Sequence, residues 1–145
     1  TKLKVACVLL ISVLSVSCSN SDDNSSGSTN ITFSELTAAV TANVWVVSIF
    51  EEDGVNQTSN FAGYTFTFNT DGTVTATNGS NTVNGSWAYG TDDSKAKLIL
   101  NFGVADLWEE IGEDWRIVSI SATTISLTHV SGGDGSVDNL VFIKP

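Results

Sequence analysis

The chain has 145 residues, of which 41% are hydrophobic, enough for about one domain with its own core. Sixteen acids against six bases give a net charge of −10 at pH 7, and only four of the bases lie beyond the N-terminal leader that carries Lys2 and Lys4. Such a surface repels phosphate backbones and anionic headgroups, which speaks against nucleic acid as a partner and against membrane attachment through a basic patch.

Lys2 and Lys4 precede an apolar run over residues 5–16 that only Ser12 and Ser15 interrupt. Twelve residues fall short of the roughly 20 needed to span a bilayer as a helix. They fit the core of a signal peptide, here residues 1–17. The segment Leu14-Ser15-Val16-Ser17-Cys18 resembles the lipobox of bacterial lipoproteins, with Ser15 where Leu is usual and Leu14 one position further out. The resemblance implies that Cys18 becomes the mature N-terminus and carries acyl chains, several of which anchor stably where one alone is marginal. Ser19-Asn20-Ser21-Asp22-Asp23 resembles the acidic export tag of surface-exposed lipoproteins in Gram-negative bacteria. An outer-membrane lipoprotein, at the cell surface or facing the periplasm, is the expectation. Residues 18–30 hold Ser, Asn, Asp, Gly and Thr almost exclusively, the composition of a flexible acidic linker. Cys7 belongs to the leader and Cys18 to the anchor, so the domain over residues 31–145 has no cysteine and no disulfide.

Residues 31–42 read as a short helix. Thr32 or Ser34 can cap it, Glu35 sits in the first turn, and Phe33, Leu36, Ala39 and Val40 share one face. From Val44 the hydrophobic period changes to 2. Strands are expected over residues 45–52, 64–69, 73–77, 83–89, 96–102, 115–121, 124–130 and 137–144. Asp53-Gly54, Asn69-Thr70-Asp71-Gly72 and Asn78-Gly79 supply turns, the last a strong hairpin signal, and residues 91–95 read as a polar loop. Residues 105–114 break the pattern with a helical turn that packs Leu107, Trp108 and Ile111 on one side.

Eight strands at spacings near ten residues, joined by short loops, suggest an all-β fold. An up-and-down antiparallel barrel is preferred over a sandwich, with a short N-terminal helix and a short helical turn before strand six. The helix before Trp45, the segment Gly63-Tyr64-Thr65-Phe66-Thr67-Phe68-Asn69-Thr70-Asp71-Gly72-Thr73-Val74, Gly85-Ser86-Trp87 and the closing strands resemble bacterial lipocalin-like lipoproteins. The resemblance implies a lipocalin-like barrel over residues 31–145 and no particular activity. The family's Gly-x-Trp start is Asn43-Val44-Trp45 here, and its late Arg over the Trp could be replaced by Arg116 or Lys144.

Candidate chemistry is thin. His129 is the only histidine; one His without Cys cannot make a His-rich zinc site, and it reads as a strand histidine with its ring hydrogen-bonded or at the barrel rim. The loop Asp residues read as turn formers rather than calcium ligands. Glu109-Glu110 and Glu113-Asp114 read as a solvated face rather than a catalytic carboxylate pair. No catalytic residue, metal or cofactor is expected. Trp45, Tyr64, Phe66, Phe68, Trp87, Tyr89 and Phe102 could all point inward, with Trp108 near the mouth. They would either fill the barrel or line a pocket for a small apolar or amphipathic ligand. The expectation is a non-enzymatic, monomeric binding protein; a surface module for glycan or protein, with a filled barrel, is the alternative.

Overall fold

The computed structural model describes residues 30–145. The expected signal peptide, Cys18 and most of the linker lie outside the described residues. The helix α1 (Phe33–Thr41) comes first. The strands are β1 (Val44–Glu52), β2 (Val55–Asn56), β3 (Thr65–Phe68), β4 (Thr73–Thr77), β5 (Thr82–Asp92), β6 (Lys95–Asn101), β7 (Asp114–Ile120), β8 (Thr124–Val130) and β9 (Val137–Ile143). The helix α2 (Leu107–Ile111) precedes β7, and a 3-10 turn (Thr58–Phe61) precedes β3.

Every strand pairing is antiparallel, and the order follows the chain from β3 to β9. β1 pairs with β3 on one side and with β9 on the other, which closes an eight-stranded barrel. β2 is an appendage, a two-residue return of β1 around Asp53-Gly54. The expected all-β, up-and-down barrel with a helix at the front and a helical turn before its sixth strand is the fold observed. Closure pairs both sides of each of the eight barrel strands, so among them no open edge is left to recruit another chain.

The local chemistry explains these elements. Thr32 and Glu35 form a reciprocal capping box at the start of α1, Oγ1 of Thr32 accepting from the Glu35 amide and Glu35 accepting from the Thr32 amide. Along β3, β4, β6 and β9 every second residue is buried, as in Thr65–Phe68, where Phe66 and Phe68 face the core. Gly85 has a packing reason: a Cβ there would stand 2.5 Å from the Asn101 carbonyl oxygen and 2.7 Å from the Phe102 ring. β5 runs three residues beyond the expected strand because the expected loop is a two-residue turn, Asp93 and Ser94 both taking positive φ (47° and 62°).

The barrel has two unlike ends. α1 and the turns before β4, β6 and β8 lie at one. At the other lie β2, the 3-10 turn, α2 and the loop before β9. The segments of this second end carry three acids in residues 51–64, five in 102–114 and two in 131–138, with no base.

Candidate functional site

The aromatics singled out from the sequence are brought together, and their burial decides what they can do. Trp45 and Phe66 are fully buried, Phe68, Trp87 and Phe102 nearly so. Phe66 packs edge-on against Phe102 and Phe142, and Phe68 against Trp87 and Phe142, with ring centroids 5.1–6.3 Å apart. These rings occupy the barrel interior, where they bury large apolar areas and gain from edge-to-face geometry. Tyr64, Tyr89 and Trp108 are half-buried at the ends. Tyr89 donates its hydroxyl to the Ile31 carbonyl (2.9 Å) and so holds the start of α1. Trp108 packs against Tyr64 and Phe102, and beside it opens a cleft of about 370 Å3 lined by Phe102, Val104 and Gly112. Arg116 and Lys144, proposed partners for Trp45, are exposed on the outside.

Three tryptophans also serve as latches. Trp45 Nε1 donates to the Val40 carbonyl (2.8 Å), Trp87 Nε1 to Asn69 (2.8 Å) and Trp115 Nε1 to Ile111 (2.9 Å). Val40 and Ile111 lie in the last turns of α1 and α2, where carbonyls lack helical partners. A buried indole N–H satisfies each of them.

The polar constellation of the molecule lies at the acidic end. Register pairs His129 of β8 with Asp138 of β9. Both fall at the parity of the buried residues of their strands, so both turn inward at the mouth. Among the described residues, Asp138 is the one buried polar side chain. Its Oδ1 accepts from the Asp53 amide (2.9 Å), and its Oδ2 lies 3.4 Å from both His129 Nδ1 and Ser131 Oγ. On the other side of the imidazole, Nε2 is 3.4 Å from Asp114 Oδ1 and 3.8 Å from Glu113 Oε2. Lys97 takes the remaining Asp114 oxygen at 2.5 Å and reaches Asp92 at 3.2 Å. The hydrogen bond to Asp114 holds the Lys97 ammonium above its ordinary range against the opposing effect of burial. A cleft of about 280 Å3, lined in part by Lys97, Asp114, Arg116 and His129, opens beside this group.

A second carboxylate pair stands nearby. Burial raises the Glu52 carboxyl above its ordinary range, and the charge and hydrogen bonding of Glu110 raise it further. Gln57 Nε2, donating to Glu52 Oε2 at 2.7 Å, works in the opposite direction.

From the sequence, His129 is a strand histidine, hydrogen-bonded or at the rim, and Glu113-Asp114 belongs to a solvated face, with nothing to connect them. The connection is the β7–β8–β9 register, which carries Asp114, His129 and Asp138 to one mouth. A strand histidine at inward parity, one residue from a strand end, was the available signal.

No protein-family model and no curated protein matches the chain. A solved structure similar to it is the crystal structure of a DUF4847 family protein from Bacteroides vulgatus, 14% identical, covering 76% of this chain and 97% of that chain with a TM-score of 0.49.

Proposed function

We propose that this protein is a lipid-anchored, non-enzymatic module of the cell envelope that works through the outside of a filled barrel. One observation carries the reading: the inward positions of the barrel are occupied by aromatic and aliphatic side chains buried against one another. An eight-stranded barrel is just wide enough to be filled in this way or to hold one small ligand. Trp45, Phe66, Phe68, Trp87 and Phe102 take up that space as core, which favours the surface module over a transporter-like cavity.

The anchor rests on the sequence at Cys18, and the acidic linker after it would hold the domain away from the bilayer. With four bases beyond the leader, the acyl chains are what would keep the protein at a membrane. No helix among the described residues is long and apolar enough to cross a membrane.

Two measurements test the reading. Titration with a fatty acid or a hydrophobic dye should leave tryptophan emission without a saturable shift. A saturable shift abolished by Phe66→Trp would overturn the filled barrel. Mass spectrometry of the mature N-terminus should find acyl groups on Cys18, and an unmodified thiol there would remove the anchor. A narrower ligand reading is favoured by one observation, the half-buried Trp108 beside its 370 Å3 cleft. It predicts a shift that Trp108→Ala abolishes while the core tryptophans stay silent.

A further inference from the structure

We propose that Glu113, Asp114 and His129 form a binding site for a divalent transition-metal cation of the zinc type, with Asp138 holding the imidazole in register. It goes beyond the module reading, which needs no metal.

Asp138, as a carboxylate, can only accept a hydrogen bond, so its contact with Nδ1 suits the tautomer that carries the proton there, the one in which Nε2 can bind a cation. Nε2 faces two more carboxylate oxygens, at 3.4 and 3.8 Å. One nitrogen and two oxygens converge, all within 4.8 Å of one another. What suits the space between three electron-pair donors is a cation.

The distances agree. A cation about 2.1 Å from each member of a tetrahedral set leaves its donors about 3.4 Å apart. The His129–Asp114 separation already has that value, and Glu113, with its side chain 44% exposed, needs a small rotation. The surroundings agree as well. A ligating histidine ordinarily gives its other N–H to a carboxylate, which fixes tautomer and ring orientation. Here that carboxylate is the buried Asp138, itself fixed by the Asp53 amide. Lys97 occupies the far oxygen of Asp114 and turns the near one to the imidazole. The adjoining cleft supplies an entry path and room for a water in the fourth position.

The donor set also selects among cations. Imidazole with two carboxylates suits zinc and its transition-metal neighbours. Calcium needs six to eight oxygens and magnesium a near-ideal octahedron, and neither matches three donors of which one is nitrogen.

Isothermal titration of the purified protein with zinc chloride tests the proposal. One saturable site per chain is expected, undisturbed by excess calcium or magnesium chloride. Asp138→Asn should weaken zinc binding by about 10–100-fold, and His129→Ala by more. Because Asp138 also caps the Asp53 amide, its variant could lose fold; the exposed Glu113→Gln keeps the test open and should weaken binding with an unchanged circular dichroism spectrum. Glu109→Gln, at the same acidic end, should bind like the wild type. A second readout is local: the Trp115 ring lies 6.0 Å from the imidazole, so cobalt chloride should quench tryptophan emission, and His129→Ala should abolish the quenching. Absence of zinc uptake by the wild type overturns the proposal. So does zinc uptake that survives His129→Ala or that calcium displaces, since either means attraction by the acidic end alone.

Discussion

At one end of the barrel the indole of Trp45 donates to the last turn of α1; at the other the indole of Trp115 donates to the last turn of α2. Leu36 and Val40 seal the first end, Phe61 and Ile111 the second, all buried. The sealing device is the same, but the charge is not. The first end carries scattered acids with Lys95 and Lys144 among them, while the connecting segments of the second carry acids and no base, with Lys97 reaching Asp114 from β6. Closure of a barrel by this chain therefore does not require carboxylates, because the α1 end closes without a cluster of them. Burial, and after it the charge of Glu110 in α2, raises the Glu52 carboxyl, so the charged form of this pair opposes folding in part. Local features that oppose stability are expected where a site has a task.

The largest effects should come from the shared device. Trp45→Ala and Trp115→Ala should each cost about 3–5 kcal/mol, the range for removing a large aromatic from a packed core. Urea denaturation followed by circular dichroism measures both. Trp→Phe at either position retains a ring but orphans the helix carbonyl and should cost less, about 1–3 kcal/mol. Near-equal values at the two ends would support the symmetry of the device. A cheap Trp115→Ala beside a costly Trp45→Ala would break it and make α2 an ornament rather than a seal.

Most of this architecture was written in the alternation of the strands. Thr65–Phe68 could be read residue by residue, because burial on one face forces period 2 and nothing competes with it. α1 was legible from Thr32, Glu35 and its apolar face. The two-residue β2 and the 3-10 turn were not, since Val55 and Phe61 stand alone among polar residues and carry no period. The Asp93-Ser94 turn escaped because positive φ ordinarily announces itself through glycine or asparagine, and here Asp and Ser adopt it. The polar site was invisible for a different reason. Glu113, Asp114, His129 and Asp138 are brought together by strand register, and register is a property of the closed sheet rather than of any segment.

The helix starts sharpen the comparison further. α1 begins with a complete capping box, whereas α2 follows Asp106, which makes no side-chain cap and sits at φ 60°, ψ −134°, a region suited to glycine. Thr32→Ala should lower stability by about 1 kcal/mol. Asp106→Gly should raise it by about 1 kcal/mol, since the Asp106 carbonyl still accepts from the Glu109 amide and only the strain is removed. Thermal denaturation of the two variants should thus move in opposite directions. A loss in Asp106→Gly would show that its side chain does something at the acidic end that the geometry does not explain.

The smallest effect concerns charge itself. Burial and then Glu110 raise the Glu52 carboxyl above the ordinary 4.5 in the folded protein. A carboxyl raised on folding favours the folded state while it is protonated. That contribution is full below the ordinary value and is lost as pH rises through the raised one. At neutral pH the wild type therefore carries the repulsion, and Glu52→Gln should be more stable by a few tenths of a kcal/mol, in keeping with partly solvated charge pairs. The gain should shrink towards zero as pH falls below the ordinary carboxylate value, where wild type and variant are both neutral at this position. Glu110→Gln should act with the same sign, and the double variant should gain less than the two singles together, because one repulsion can be removed only once. Both should be measured with a chelator present, so that a cation held at the neighbouring His129 site does not mask the repulsion. A destabilised Glu52→Gln at neutral pH would mean that Gln57 and the strand end depend on the carboxylate, and that the acids around α2 help to build the fold after all.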